Sequence, residues 1–256
     1  MKKTILTFAA LVLLAVPALA DTFHGLGDTG YQMLYTRIGG YFQGRGGEFT
    51  LKEDPGHTYL SNSAYADVAK GKAGDPHSFQ TFCVETGEYV ESPMEIMVSQ
   101  EAQAGGGYGS GSHAYKGGTK VGDDLEPETA WLYTQFATGN LATLGYDYTP
   151  GDNRKAAAGA LQRLIWNIEG EGGGLGVGNS WYDITLTQAQ VDLIDAWNDA
   201  YATSRWSGIG NVRVLQTNST GGGLAQDQLY LVPAPAAIGL GMLGLGLIGW
   251  YMRRFA

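Results

Sequence analysis

Asp152-Asn153-Arg154-Lys155-Ala156-Ala157-Ala158-Gly159-Ala160-Leu161-Gln162-Arg163-Leu164-Ile165-Trp166-Asn167-Ile168 is the stretch that decides the fold. Ala157, Leu161, Leu164, Ile165 and Ile168 recur at helical spacing and form one apolar stripe. At 3.6 residues per turn, Gln162, Trp166 and Glu169 share a neighbouring face, at i, i+4 and i+7. The spacing predicts a helix from a cap at Asp152 to about Ile168, ended by the glycines after Glu171.

Working outward, two more helices flank it. One runs over 126–137, with Pro127 suited to the first turn and Gly139 to the stop, and packs through Trp131, Leu132, Gln135 and Phe136. The other opens on the capping box Thr187-Gln188-Ala189-Gln190 and continues to about Thr203, with the stripe Val191, Ile194, Trp197 and Tyr201. Before the helices come short β-type runs broken by glycine: 31–38, 47–51, 59–68 and 79–84. In the last of these, Phe79, Thr81 and Cys83 alternate with Gln80, Phe82 and Val84. After the helices, strands are expected over 212–216 and 228–232, around a turn at Gly221-Gly222-Gly223. The fold class expected is therefore α+β, with a β-rich N-terminal part, three helices and a terminal strand pair.

The two ends have a different character. Lys2-Lys3, the apolar run 4–16 and Pro17-Ala18-Leu19-Ala20 have the order of a signal peptide (1–20), with the small residues Ala18 and Ala20 setting cleavage before Asp21. The segment 232–256 opens with Val232-Pro233-Ala234-Pro235, continues as the apolar run 238–250 and closes with Arg253-Arg254. That run has about the minimum length of a membrane-spanning helix, and the trailing arginines hold its end in the cytoplasm. A single C-terminal transmembrane helix is thus expected in the precursor, with 21–231 as the exported globular domain. This end resembles the sorting tail of PEP-CTERM proteins of Gram-negative bacteria, which are exported, held by a C-terminal helix and processed by an exosortase. Ala234 stands where that family carries Glu. The resemblance implies an exosortase-like partner, transient anchoring at the inner membrane through the C-terminal helix, and a final place at the cell surface or outside, often linked with exopolysaccharide and biofilm.

Composition narrows the partners. The chain has 40 glycines, 11% aromatic residues and a formal net charge of −9. Its two end segments contain four basic residues and no acid, so the exported part is more acidic still. Nucleic acid is not an expected partner, because phosphate binding needs a basic patch. The single cysteine, Cys83, excludes an internal disulfide and a cysteine-based zinc site. A lone cysteine in an oxidising compartment asks for a reason.

Thr81-Phe82-Cys83-Val84-Glu85 and Leu161-Gln162-Arg163-Leu164-Ile165-Trp166 supply one. Together they resemble the thioester domains of bacterial surface adhesins, where a strand cysteine is joined to the glutamine of a Gln-x-Ala-Ile-Trp helix. Leu161 stands where those domains favour Thr, and Leu164 where they carry Ala. A similar pair of segments, Phe-Cys and Ile-Trp-x-x-Glu, occurs in a group of PEP-CTERM proteins. The resemblance implies Cys83 as thioester sulfur and Gln162 as acyl donor. Trp166 would then exclude water, and Glu169 would orient a nucleophile or act as a base. Such a bond needs near-attack geometry, a polarised amide and a dry site. Each residue also has a plain reading: Cys83 as a small buried hydrophobe, Trp166 as core, Gln162 as an ordinary helix residue, and Glu169 with Glu171 as a solvated helix end.

Other chemistry is sparse. His24, His57, His77 and His113 are scattered without metal spacing, and no metal or cofactor is expected. Asp123-Asp124 with Glu126 and Glu128 lacks the alternation of a calcium loop and reads as an acidic helix N-terminus. The glycine-rich loop 104–118 lacks the strand-to-helix setting of a nucleotide site. Ser110 and Ser112 lie near His113 without an orienting acid, so a hydrolase ranks last. The expected function is non-enzymatic: an exported surface or matrix protein, as a covalent adhesin attacking a surface nucleophile or as a carbohydrate-binding or structural module for extracellular polysaccharide.

Overall fold

The computed structural model describes residues 33–53, 60–71, 75–86, 90, 94–103, 122–219 and 224–233. The expected signal peptide with Ala18 and Ala20 lies outside them. So do the loop 104–118, His24, His57 and His113, and the expected sorting segment from Ala234 and Pro235 to Arg253 and Arg254. Among the described residues no helix is long and apolar enough to cross a membrane; the expected C-terminal membrane helix falls outside them.

The architecture is α+β. Among the described residues ten strands run in chain order: β1 (Met33–Gln43), β2 (Gly46–Glu53), β3 (Ser78–Thr81), β4 (Met94–Ser99), β5 (Glu101–Gln103), β6 (Gly122–Asp124), β7 (Ser180–Trp181), β8 (Ile184–Thr185), β9 (Val212–Ser219) and β10 (Leu224–Leu231). The helices are α1 (Pro127–Ala137), α2 (Asp152–Ile168) and α3 (Gln188–Thr203). Six strands make one antiparallel sheet in the order β10-β9-β4-β1-β2-β3. Strands from both ends of the chain therefore share a single sheet.

The sheet also closes on itself. Beyond Thr81 the chain leaves β2 and crosses to β10. The Leu229 N–H donates to the Phe82 carbonyl and the Val84 N–H to the Asp227 carbonyl, both at 3.0 Å. Where the two edges part, side chains close the seam. The Thr81 hydroxyl donates to the Leu229 carbonyl at 2.6 Å, and the Tyr133 hydroxyl of α1 lies 3.0 Å from the carbonyl oxygens of Gln80 and Leu229. Burial pushes the Tyr133 phenol well above its usual range, so it stays a neutral donor.

Apolar residues explain the layering. Leu51, Phe79, Phe82, Met94, Phe136 and Leu229 are all fully buried, each such side chain contributing about 1.5–3 kcal/mol. Helix α2 lies against β1 and β2, α1 against β9 and β10, and α3 against α1 and α2. Ala157, Leu161, Leu164 and Ile165 are buried as the stripe predicts. The capping box at Thr187 forms, with its hydroxyl accepting from the Gln190 N–H and the Gln190 side chain accepting from the Thr187 N–H.

Several expectations are corrected. The residue capping α2 is Gly151, and Asp152 lies inside the first turn, where its carboxylate reaches Lys155 at 2.9 Å. The stretch 59–68 is not a strand where it is described. Asn62 donates its amide to the carbonyls of Asp75 and Ser78, and this local bonding competes with ladder pairing. Leu60 and Tyr65 are buried all the same, Tyr65 against Phe79 and Tyr230. Asp123 and Asp124 belong to β6, paired with β5, so only Glu126 and Glu128 flank the start of α1.

Candidate functional site

Cys83 sits where β3 crosses to β10, opposite Gln228. The bonds at 82 and 84 make this a pair in which neither residue uses its own N–H or C=O towards the other. Two consequences follow from antiparallel geometry. Side chains of such a pair approach closely, with Cα atoms about 4.5 Å apart. The N–H and C=O of Cys83 also point away from β10, to a side where no described strand lies.

Gln162 fills that side. Its Oε1 accepts from the Cys83 N–H at 3.1 Å and its Nε2 donates to the Cys83 carbonyl at 2.7 Å. One carboxamide thus satisfies both buried backbone groups, as a neighbouring strand would. Cys83 and Gln162 both have 0% exposure, so the two residues singled out from sequence meet in a dry site. Trp166 is buried one turn on and donates its indole N–H to the Glu85 carbonyl at 3.0 Å. This fixes the segment that follows Cys83.

The second face of α2 reaches the sheet because Gly46 lets it. A Cβ at Gly46 would lie 2.7 Å from both Gln162 Cγ and the Trp166 ring, closer than real side chains come. On the other side of Trp166 lies Tyr182, ring centroids 5.6 Å apart. Tyr182 and Asp183 form the two-residue turn between β7 and β8, both with left-handed φ, 48° and 63°. This is the backbone of a type I′ hairpin, here built without glycine.

The acids after α2 are not solvated as expected. Glu169 is 4% exposed and accepts from the Glu126 N–H at 3.3 Å, tying the start of α1 to the end of α2. Glu171 accepts from the Thr86 N–H and hydroxyl. Glu169 therefore serves as a cap for α1 in this arrangement, and Glu171 holds the segment after Cys83.

Sequence reading missed the groups on β10. Gln226, Asp227 and Gln228 are all buried, at an irregularity in the β9–β10 register between Ala225 and Gln228. Such a bulge re-aims side chains. Gln226 donates to the Glu85 carbonyl at 2.7 Å, and Gln228 Nε2 donates to Cys83 Sγ at 3.1 Å. The signal was three consecutive polar residues in a strand with no solvent face.

Two further sites lie elsewhere. The buried Glu48 of β2 accepts two bonds from Arg154 of α2, at 2.8 and 2.6 Å, and one from the Tyr146 hydroxyl. A cavity of about 570 Å³ lies where the chain leaves β10, lined by Ser63, Thr134, Thr138, Trp206, Asn211 and Val232. Val232 and Pro233 are the described part of the expected sorting motif, both half-buried. Among the described residues no three His, Cys, Asp or Glu side chains gather as a metal site.

No family model matches this chain, and neither a curated protein nor a solved structure does.

Proposed function

We propose that this is an exported surface protein, sorted by an exosortase-type system, in which Cys83 and Gln162 condense to an internal thioester that attaches the protein to a nucleophile on another surface. The observation that carries this reading is the contact of the two residues, 79 apart in sequence, in a site with no exposure. The Cys83 N–H on Oε1 polarises the amide and stands ready for the oxyanion. Burial excludes water, which would hydrolyse the product. In the condensation the sulfur bonds to Gln162 Cδ, the C–N bond breaks, and the thiol proton leaves with the nitrogen as ammonia. A thioester also explains a lone cysteine in an oxidising compartment, since no free thiol remains.

The test is the intact mass of the purified 21–231 domain, with and without methylamine, beside Cys83→Ala. The expected result is a mass lower by one ammonia, gain of methylamine only when Cys83 is present, and the label on residue 162. A full mass with a titratable thiol would sink the thioester.

A second reading is a saccharide-binding module. The cavity at Trp206 favours it: no charged residue lines it, and Ser63, Thr134 and Thr138 stand with one indole in a largely apolar wall, a mix that suits a neutral sugar. Its test is binding to the producer's own exopolysaccharide; no loss on Trp206→Ala would count against that site.

A further inference from the structure

Gln228 is the group nearest to the sulfur of Cys83 that sequence reading did not pick out. It has 0% exposure and its Nε2 lies 3.1 Å from Sγ. The same nitrogen donates to the Gln226 carbonyl at 3.0 Å, so both of its hydrogens are engaged. That second bond fixes which end of the amide faces the sulfur, because a rotated amide would set Oε1 against the Gln226 carbonyl. The consequence is visible at the other end. Gln228 Oε1 is buried without a hydrogen-bond partner among the described residues. A buried polar atom left unsatisfied asks for an explanation, and a catalytic role is one.

The orientation is informative. The amide sets a donor against the sulfur, which accepts only weakly as a neutral thiol. A donor suits sulfur when it carries negative charge, as the free thiolate or as a thiolate departing from an acyl group. Donors fixed where charge develops are worth most in a site that excludes water. We infer that Gln228 is the hydrogen-bond donor that carries the charge of the Cys83 sulfur when its acyl bond forms and opens, so that it sets the rate of acyl transfer. This rests on the thioester proposed above.

In the transfer step an amine nitrogen bonds to Gln162 Cδ. The C–S bond breaks with its electron pair going to sulfur, and the amine proton follows, regenerating the Cys83 thiol. Gln228 holds the sulfur while the pair arrives. The Cys83 N–H holds the oxygen. Gln162 supplies the acyl carbon, and each group has one task.

The experiment compares wild type, Gln228→Met and Gln228→Glu in the 21–231 domain, after thermal melts show that each is folded. The rate of methylamine incorporation is read by intact mass. The Met variant keeps the shape and loses the donor. Incorporation is expected to slow by roughly tenfold or more, the loss associated with a hydrogen bond to a charged group. The Glu variant keeps the shape but adds negative charge, so it is expected to be slower still, an order that lost packing would not produce. A folded variant that never forms the thioester while wild type does also supports the role. Rates within about twofold of wild type in both variants overturn the inference, as does methylamine on residue 228. Should wild type keep its full mass, the thioester itself fails, and Gln228 is judged on the free thiol. Alkylation of Cys83 by iodoacetamide is then expected to slow in Gln228→Met, and equal rates overturn the inference.

Discussion

The carboxamide of Gln162 engages both backbone groups of Cys83, accepting from its N–H at 3.1 Å and donating to its carbonyl at 2.7 Å. The pairing stands in for a strand at the point where the sheet closes. It also brings the amide to the cysteine with its oxygen already on a donor. Structural need and chemical opportunity coincide in one contact.

Gln162→Leu would leave the N–H and C=O of Cys83 buried and unmatched. Each stranded group costs about 1–3 kcal/mol, so a total loss of about 2–6 kcal/mol is expected in urea unfolding. Gln162→Glu is expected to be at least as costly at neutral pH, because a carboxylate cannot donate to the Cys83 carbonyl. A loss under about 1 kcal/mol for the Leu variant would show that the pairing is dispensable.

Gly46→Ala should disturb the site from the opposite side. Its Cβ would meet Gln162 Cγ and the Trp166 ring at 2.7 Å, and Ile184 at 3.0 Å. Overpacking of this kind costs about 1–3 kcal/mol. Beyond lost stability, the fraction of chains lighter by ammonia is expected to fall, since the displaced side chain is the proposed acyl donor. Wild-type stability together with a wild-type fraction would refute the close packing described here.

Arg154→Met is expected to be among the most damaging substitutions. It strands Glu48, whose side chain has 0% exposure, and removes donors to the carbonyls of Tyr148 and Val68. Breaking a buried pair on one side costs about 3–5 kcal/mol. Burial already pushes the Glu48 carboxyl upward in spite of Arg154, and loss of Arg154 pushes it further the same way. Glu48→Gln added to Arg154→Met should recover part of the loss, and a double-mutant cycle in urea checks the sign.

Asp75 gives a pH test. Burial would raise its carboxyl, but the His77 N–H at 3.0 Å and Lys52 at 3.3 Å outweigh that and hold it below its usual value. A depressed folded value means the stabilisation is fully present above the unfolded value of 3.8. It is lost as pH falls through the folded value. Asp75→Asn should therefore cost about 0.5 kcal/mol at neutral pH, with the gap to wild type closing in acid. A gap that widens in acid would contradict the assignment.

The turn between β7 and β8 separates strain from packing. Asp183→Gly relieves a left-handed residue and loses only an exposed ion pair to Arg45, so melting should stay level or rise slightly. Tyr182→Gly relieves the same kind of strain but removes the ring packed on Trp166, and should lower the melting temperature. Equal responses would mean that the aromatic contact contributes nothing.

Periodicity and capping were legible in the chain because they are local. The stripe of α2, the capping box at Thr187, the breakers Pro127 and Gly139 and the β runs around them define three helices between strands. Chemistry was legible where residue type is rare: a single cysteine draws attention wherever it lies, and Gln162 with Trp166 marked a second face of α2. Glu169 and Glu171 were misread because an acid after a helix is usually solvated. Their burial depends on backbone N–H groups at Glu126 and Thr86, which no spacing along the chain announces.

Closure of the sheet, the empty edge beside Cys83 and the turning of Gln226, Asp227 and Gln228 inward were decided by tertiary structure alone. The reason is physical. Helical stripes and caps follow from bonds spanning three or four residues, which the sequence specifies by itself. The bridge between the segment after β3 and β10, with the contact between Cys83 and Gln228, brings together residues 145 apart. Which buried donor meets which acceptor at such a seam follows from strand register and a local bulge, and those exist only once the whole sheet has formed.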